Sequence, residues 1–192
     1  MTYCLNPDCP KPQNPPTATN FCQSCGNKLL LNNLFRATKL LGQGGFGKTF
    51  LAVNLGRFEE VCVIKQLSTP QHVKQNPALL KEYLRLFNSE ARQLYQLGEE
   101  HRQIPKLISY FEQDGYLYLV QEFISGQNLL EEMQQQGAFS EEKIRHLLRD
   151  LLPVIKFIHE QQVIHRDIKP ENIIRRQKDD KFVLIDFGVR SR

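Results

Sequence analysis

Four of the five cysteines fall within the first 25 residues, spaced as Cys4-x4-Cys9-x12-Cys22-x2-Cys25-Gly26. A segment of about 27 residues cannot bury a core, so a metal or disulfides must hold it if it folds. Five of the ten prolines also lie in the first 16 residues, so residues 1–30 differ in composition from the remainder. Two cysteine pairs on short turns can place four thiolates around one Zn²⁺, which accepts them tetrahedrally. Gly26 suits the turn of such a knuckle, because a positive φ costs glycine nothing. Two other readings stand beside zinc: a pair of disulfides, and thiols with no joint role. Cys62 sits between Val61 and Val63-Ile64 and reads as a buried structural thiol.

The N-terminus lacks a basic region followed by an apolar stretch, so no export signal is read. That favours reduced thiols and a cytoplasmic location. No apolar run approaches the ~20 residues of a membrane span. The net charge of +4 is too small to argue for nucleic acid. With 41% apolar and 24% charged residues, the chain is ordinary globular material.

Residues 35–41 read as a strand and lead into Gly42-Gln43-Gly44-Gly45-Phe46-Gly47-Lys48-Thr49. Two glycine motifs fit here. Gly42, Gly44 and Gly47 match G-x-G-x-x-G, and Gly42 to Thr49 also matches the P-loop pattern G-x-x-x-x-G-K-[ST]. Either dinucleotide-binding or P-loop glycines should open a helix. Residues 48–55 instead alternate and are rich in Thr, Phe, Leu and Val, which is strand-like. A further apolar strand, Val61 to Ile64, ends in Lys65, whose charge needs an anionic partner such as phosphate or a carboxylate.

A helical pattern spans 77–97 and puts Glu90 on the face of Leu86, Phe87 and Leu94. Residues 106–111 and 116–124 read as a hairpin through Asp114-Gly115. Ser140 caps a helix with the stripe Ile144, Leu147, Leu148, Leu151, Leu152, Ile155 and Ile158, which reads as core. Then comes His165-Arg166-Asp167-Ile168-Lys169-Pro170-Glu171-Asn172, an ungapped H-R-D-x-x-x-x-N. A second hairpin through Asp179-Asp180 leads to Asp186-Phe187-Gly188.

Glycine-rich turn, strand Lys, helix Glu, catalytic loop and D-F-G, in this order, resemble a eukaryotic-type bacterial Ser/Thr protein kinase from about Phe35 onward. The first segment resembles a bacterial zinc-ribbon-like motif. The fold implied is α+β and protein-kinase-like: a small zinc-ribbon-like unit (1–30), then a kinase domain (34–192). That domain comprises a β-rich N-lobe (34–124) and a partial helical C-lobe (125–192).

The resemblance implies ATP and Mg²⁺ as cofactors. Gly42, Gly44 and Gly47 would let backbone N–H groups approach phosphates. Lys65 would hold the α- and β-phosphates, aligned by Glu90. The Glu122 carbonyl and Ile124 amide would meet adenine, Asn128 the ribose, and Gln121 would control a back pocket. Asn172 and Asp186 would hold Mg²⁺. Asp167 would take the proton of the attacking hydroxyl, and Lys169 would stabilise the transferring phosphate. His165 would be structural, and Arg166 would pair with a phosphate on the activation loop. Cys4, Cys9, Cys22 and Cys25 would hold Zn²⁺ structurally, since four thiolates leave no open position. Partners would be a protein with Ser or Thr and a docking partner for the ribbon, without nucleic acid or a membrane segment. Only four residues follow Gly188, so the expectation is a kinase truncated before its activation segment, of uncertain turnover. The alternative is a non-catalytic ATP-binding protein or a zinc-ribbon adaptor.

Overall fold

This computed structural model describes residues 1–16, 20–44, 47–69 and 71–187. The chain divides into two compact units. The first holds residues 1–83 and 108–123, and the second 84–107 and 124–192.

In the first unit, β1 (Thr2–Tyr3) pairs antiparallel with β2 (Gln13–Asn14). A six-stranded sheet follows, built from β3 (Leu30–Leu31), β4 (Phe35–Gly44), β5 (Gly47–Asn54), β6 (Glu60–Leu67), β7 (Leu107–Gln113) and β8 (Tyr116–Glu122), in the order β3-β4-β5-β6-β8-β7. Alternation along these strands sends one set of side chains to a common face. Phe35, Ala37, Phe50, Ala52, Cys62, Ile64, Tyr118 and Val120 form the core there, with Leu5 from the cysteine segment added to it. Cys62 is fully buried, and burial pushes its thiol up to about 11. Asp114 (φ 52°) and Gly115 (φ 75°) turn the β7–β8 hairpin at the expected place, in the left-handed pair that hairpins favour.

The short helix α1 (Gln71–Lys74) precedes α2 (Pro77–Glu100). The Asn76 side chain accepts from the Ala78 and Leu79 N–H groups, and Pro77 gives up a donor that the first turn does not use. Leu86, Phe87, Glu90, Ala91, Leu94 and Leu97 are buried along one helical stripe.

The second unit holds β9 (Gly126–Asn128), α3 (Leu129–Gln136), α4 (Glu141–Glu160), β10 (Ile173–Arg176) and β11 (Phe182–Leu184), with the strands ordered β11-β10-β9. Ser140 caps α4 by accepting from Lys143 N–H. Leu151, Val154 and Ile158 of α4 are buried. The core reading of the whole stripe needs correction, because Ile144, Leu148 and Leu152 are 44%, 47% and 54% exposed. Periodicity fixes which side chains share a face, while the neighbouring elements decide how much of it is covered. Among the described residues no helix is long and apolar enough to cross a membrane.

One clasp ties α4 to β11. Asp150 is buried and accepts from Phe182 N–H (2.7 Å), Lys181 Nζ (2.6 Å) and Gln103 Nε2 (3.1 Å). The same Gln103 nitrogen donates to the Phe182 carbonyl at 2.8 Å. Asp150→Ala would leave a buried backbone N–H without its acceptor. The expected cost is about 3 kcal/mol, read as a lower urea midpoint by circular dichroism.

Candidate functional site

The run after α4 folds as a loop that ends in a 3-10 turn, Pro170–Asn172. His165 is 1% exposed. Its Nε2 donates to the Ile185 carbonyl at 2.9 Å, and its Nδ1 accepts from Asp167 N–H at 3.3 Å. These two bonds require the neutral imidazole protonated at Nε2. Phe187 packs edge-on against the ring, with centroids 4.8 Å apart. Ile185 N–H donates to the Asn172 carbonyl at 2.9 Å. Residues 165–172 and 185–187 are therefore one hydrogen-bonded assembly.

Within it, Asn172 Nδ2 donates to the Asp167 carbonyl and to Asp167 Oδ2, both at 2.9 Å. Lys169 Nζ lies 3.1 Å from the same carboxylate oxygen. The amide nitrogen of Asn172 is committed to Asp167, so its amide oxygen is the group it can offer a cation. Arg166 (φ 64°) and Asp186 (φ 65°) both adopt the left-handed region, which costs a non-glycine residue on the order of 1 kcal/mol. Both strained residues adjoin Asp167 or Ile185, where the hydrogen bonds above hold the backbone.

In the first unit, β4 and β5 run into the glycine-rich turn, with Gly42 opposite Thr49 and Gly44 opposite Gly47. Open space faces Gly42 and Gly44, whereas a Cβ at Gly47 would collide with the Gln66 carbonyl oxygen. Gly45 and Phe46 lie outside the described residues, as does Gly188. Lys65 is centred in the sheet, paired with Thr49 on one side and Leu119 on the other.

The four N-terminal cysteines converge. Their sulfurs all lie within 4.8 Å of one another, with Cys4–Cys25 at 3.6 Å and Cys9–Cys22 at 3.7 Å. These separations exclude disulfides, whose S–S bond is about 2.05 Å. They fit a tetrahedral Zn²⁺ site, in which Zn–S bonds of about 2.3 Å put the sulfurs about 3.8 Å apart. Gly26 (φ 74°) makes the second knuckle, and its N–H donates to the Cys22 carbonyl. Burial raises the Cys22 thiol, but N–H groups of Cys25 and Ser24 and the Asn14 amide outweigh it and bring the thiol down to about 6. Burial holds Cys4 and Cys9 above the usual thiol range. A cation bound here would displace the remaining thiol protons.

A protein kinase domain family model matches residues 35–192. The chain belongs to the protein kinase family. It is 47% identical over 190 residues to Serine/threonine-protein kinase B of Synechocystis sp., covering 98% of this chain and 32% of that protein. It is 47% identical over 161 residues to Serine/threonine-protein kinase C of the same organism, covering 83% of this chain and 30% of the relative. The chain thus spans about a third of these curated relatives. Among solved structures, PpkA-294 in its apo form matches with a TM-score of 0.69 and 27% identity, over 81% of this chain and 59% of that one. Rad53 1-466 in complex with AMP-PNP matches at 0.63 and 29%, over 78% and 37%. The match to kinase B extends through the four-cysteine segment, which the family model leaves out.

Of the kinase residues named from sequence, Asp167, Lys169 and Asn172 come together, with Ile185 joining Asp186 to them. Glu90 is 7% exposed on the buried stripe of α2 and belongs to the second unit, while Lys65 belongs to the first. Glu122 ends β8 opposite Cys62, Gln121 is buried beside it, and Ile124 is buried at the start of the second unit. The Asn128 side chain caps α3, accepting from Glu131 N–H, while Asn128 N–H donates to the Glu131 carboxylate. Sequence reasoning missed Asn14, which donates to the Cys22 sulfur at 3.5 Å, and the Ile185 carbonyl that fixes His165. No residue-type signal marks either, since Asn14 reaches a sulfur eight positions away and the Ile185 group is backbone.

Gly47→Ala is expected to destabilise the first unit by about 2 kcal/mol, because the collision is with backbone and forces β5 from β6. Gly42→Ala has open space and is expected to change the melting temperature little. Thermal melts of the two variants side by side check the difference.

Proposed function

We propose that the chain is the nucleotide-binding and phosphoryl-transfer part of a Ser/Thr protein kinase, acting on a Ser or Thr hydroxyl of a protein with MgATP. The observation that carries this is the Asp167 carboxylate held between Lys169 Nζ and the Asn172 amide, in a loop locked to Ile185 by His165. A carboxylate fixed in this way can accept or orient a hydroxyl proton, provided it stays aimed at one spot. Lys169 would offset charge on the transferring phosphoryl group. Gly42, Gly44 and Gly47 would present backbone N–H groups to phosphates, and Lys65 would bind the α- and β-phosphates with Glu90 as its partner. Glu122 and Ile124 would offer backbone groups to adenine, and Asn128 would meet the ribose.

The amide oxygen of Asn172 and the carboxylate of Asp186 are hard oxygen donors, the type Mg²⁺ prefers. Bound there, Mg²⁺ supplies charge neutralisation for the phosphates. Cys4, Cys9, Cys22 and Cys25 would hold one structural Zn²⁺, and their free thiols fit the reducing cytoplasm.

Two measurements test this reading. In the first, transfer of labelled phosphate from ATP is followed, to the chain itself and to a generic Ser/Thr substrate. Asp167→Asn should lower transfer about 10²-fold or more while nucleotide still binds. Asp186→Asn should remove the Mg²⁺-dependent part of nucleotide binding; wild-type MgATP affinity in that variant refutes the assignment. In the second, elemental analysis should find one zinc per chain, and none in the Cys9→Ser/Cys25→Ser variant.

A further inference from the structure

We infer that Gln66 is a positioning residue of the nucleotide site, through which the four-cysteine module clips the strands carrying Lys65 and the glycine-rich turn. This rests on the nucleotide and zinc assignments above. The module is fastened to the sheet through its own apolar residues. The Tyr3 ring lies 5.4 Å from Phe50, and Leu5, next to Cys4, is buried in the sheet core. Tyr3 and Leu5 are thereby committed to this chain.

The polar link is one side chain. Gln66 Nε2 donates to the Leu5 carbonyl at 2.7 Å and to the Tyr118 hydroxyl at 3.0 Å. Gln66 is 1% exposed, and its Oε1 has no hydrogen-bond partner among the described residues. A half-satisfied buried amide costs more than an apolar side chain of similar volume. Leu at 66 would relieve the unpaired Oε1 but leave the Leu5 carbonyl and the Tyr118 hydroxyl without this donor. What the amide provides that Leu cannot is a donor to the carbonyl one residue beyond Cys4.

Gln66 is also placed to pass that constraint on. It follows Lys65, and strand alternation sends the two side chains to opposite faces of the sheet. The amide of Gln66 grips the module on the face of Ile64 and Tyr118, and Lys65 projects from the other. Across the ladder Gln66 pairs with Lys48, and its carbonyl oxygen abuts Gly47. One residue thus bears on the lysine strand and on the closing end of the glycine-rich turn.

The test compares Gln66→Leu with wild type, each zinc-loaded and chelator-stripped. The readouts are zinc content, melting temperature, affinity for an ATP analogue with Mg²⁺, and amide hydrogen exchange at residues 47–49 and 65–67. Zinc-loaded Gln66→Leu should keep its zinc and stay folded with a somewhat lower melting temperature, bind nucleotide about five-fold more weakly, and exchange faster at those residues. Stripping wild type should weaken binding by a similar factor. Stripping Gln66→Leu should add little, because both changes remove the same link. Wild-type affinity in Gln66→Leu, additive effects, or unchanged exchange at 65–67 in both perturbed forms would each overturn the clip. A zinc-free wild-type chain refutes the metal assignment separately, and a wild type that binds no nucleotide refutes the nucleotide assignment.

Discussion

The bond from buried His165 to the Ile185 carbonyl is the contact on which the assembly of residues 165–172 with 185–187 depends. Residues 165 and 185 are joined there without exposing the imidazole to water. The other ring nitrogen takes the Asp167 N–H, so the same ring fixes the start of the loop and the segment that follows β11. Asp167, Lys169 and Asn172 then fall within hydrogen-bond reach on a few residues of irregular chain. Such a loop has few apolar contacts of its own, so a buried polar anchor is what holds it in one conformation. The left-handed backbone at Arg166 and Asp186 is tolerated because these bonds over-determine it.

The cysteine segment solves a different problem with different means. It is too short for a core, so it borrows one: Leu5 enters the sheet, while Cys4, Cys22 and Leu29 make a small cluster of their own. Four sulfurs at tetrahedral separations complete the arrangement, and N–H groups aimed at Cys22 favour its charged form. Segment and sheet accordingly fall in one compact unit.

Contiguous or periodic features were legible in the sequence. The H-R-D-x-x-x-x-N run carried Asp167, Lys169 and Asn172 because their neighbourhood is set by eight successive residues. The Asp114-Gly115 turn, the Ser140 cap and the buried face of Glu90 followed from local rules of backbone and spacing. What escaped depends on distant or backbone partners. The ligands of Gln66 lie 61 and 52 positions away, and neither Leu5 nor Tyr118 announces itself as one. The start of α3 was written in the sequence as Asn128 three residues before Glu131, but the helix is only eight residues long and its stripe is weak. Periodicity put the α4 stripe on one face, but which of its residues stay exposed was not legible, because periodicity carries no information about what lies opposite.

The close approach at Gly47 has a consequence for how this part of the chain can change. The group it abuts is the carbonyl oxygen of residue 66, which all twenty amino acids possess. No exchange of side chain at 66 can therefore make room for a methyl group at 47. A defect introduced at 47 has no complementary partner position, so selection for revertants should return glycine itself, or changes that spread the two strands along their whole length. Position 47 is closed by geometry, whereas position 66 is closed only by what its amide holds.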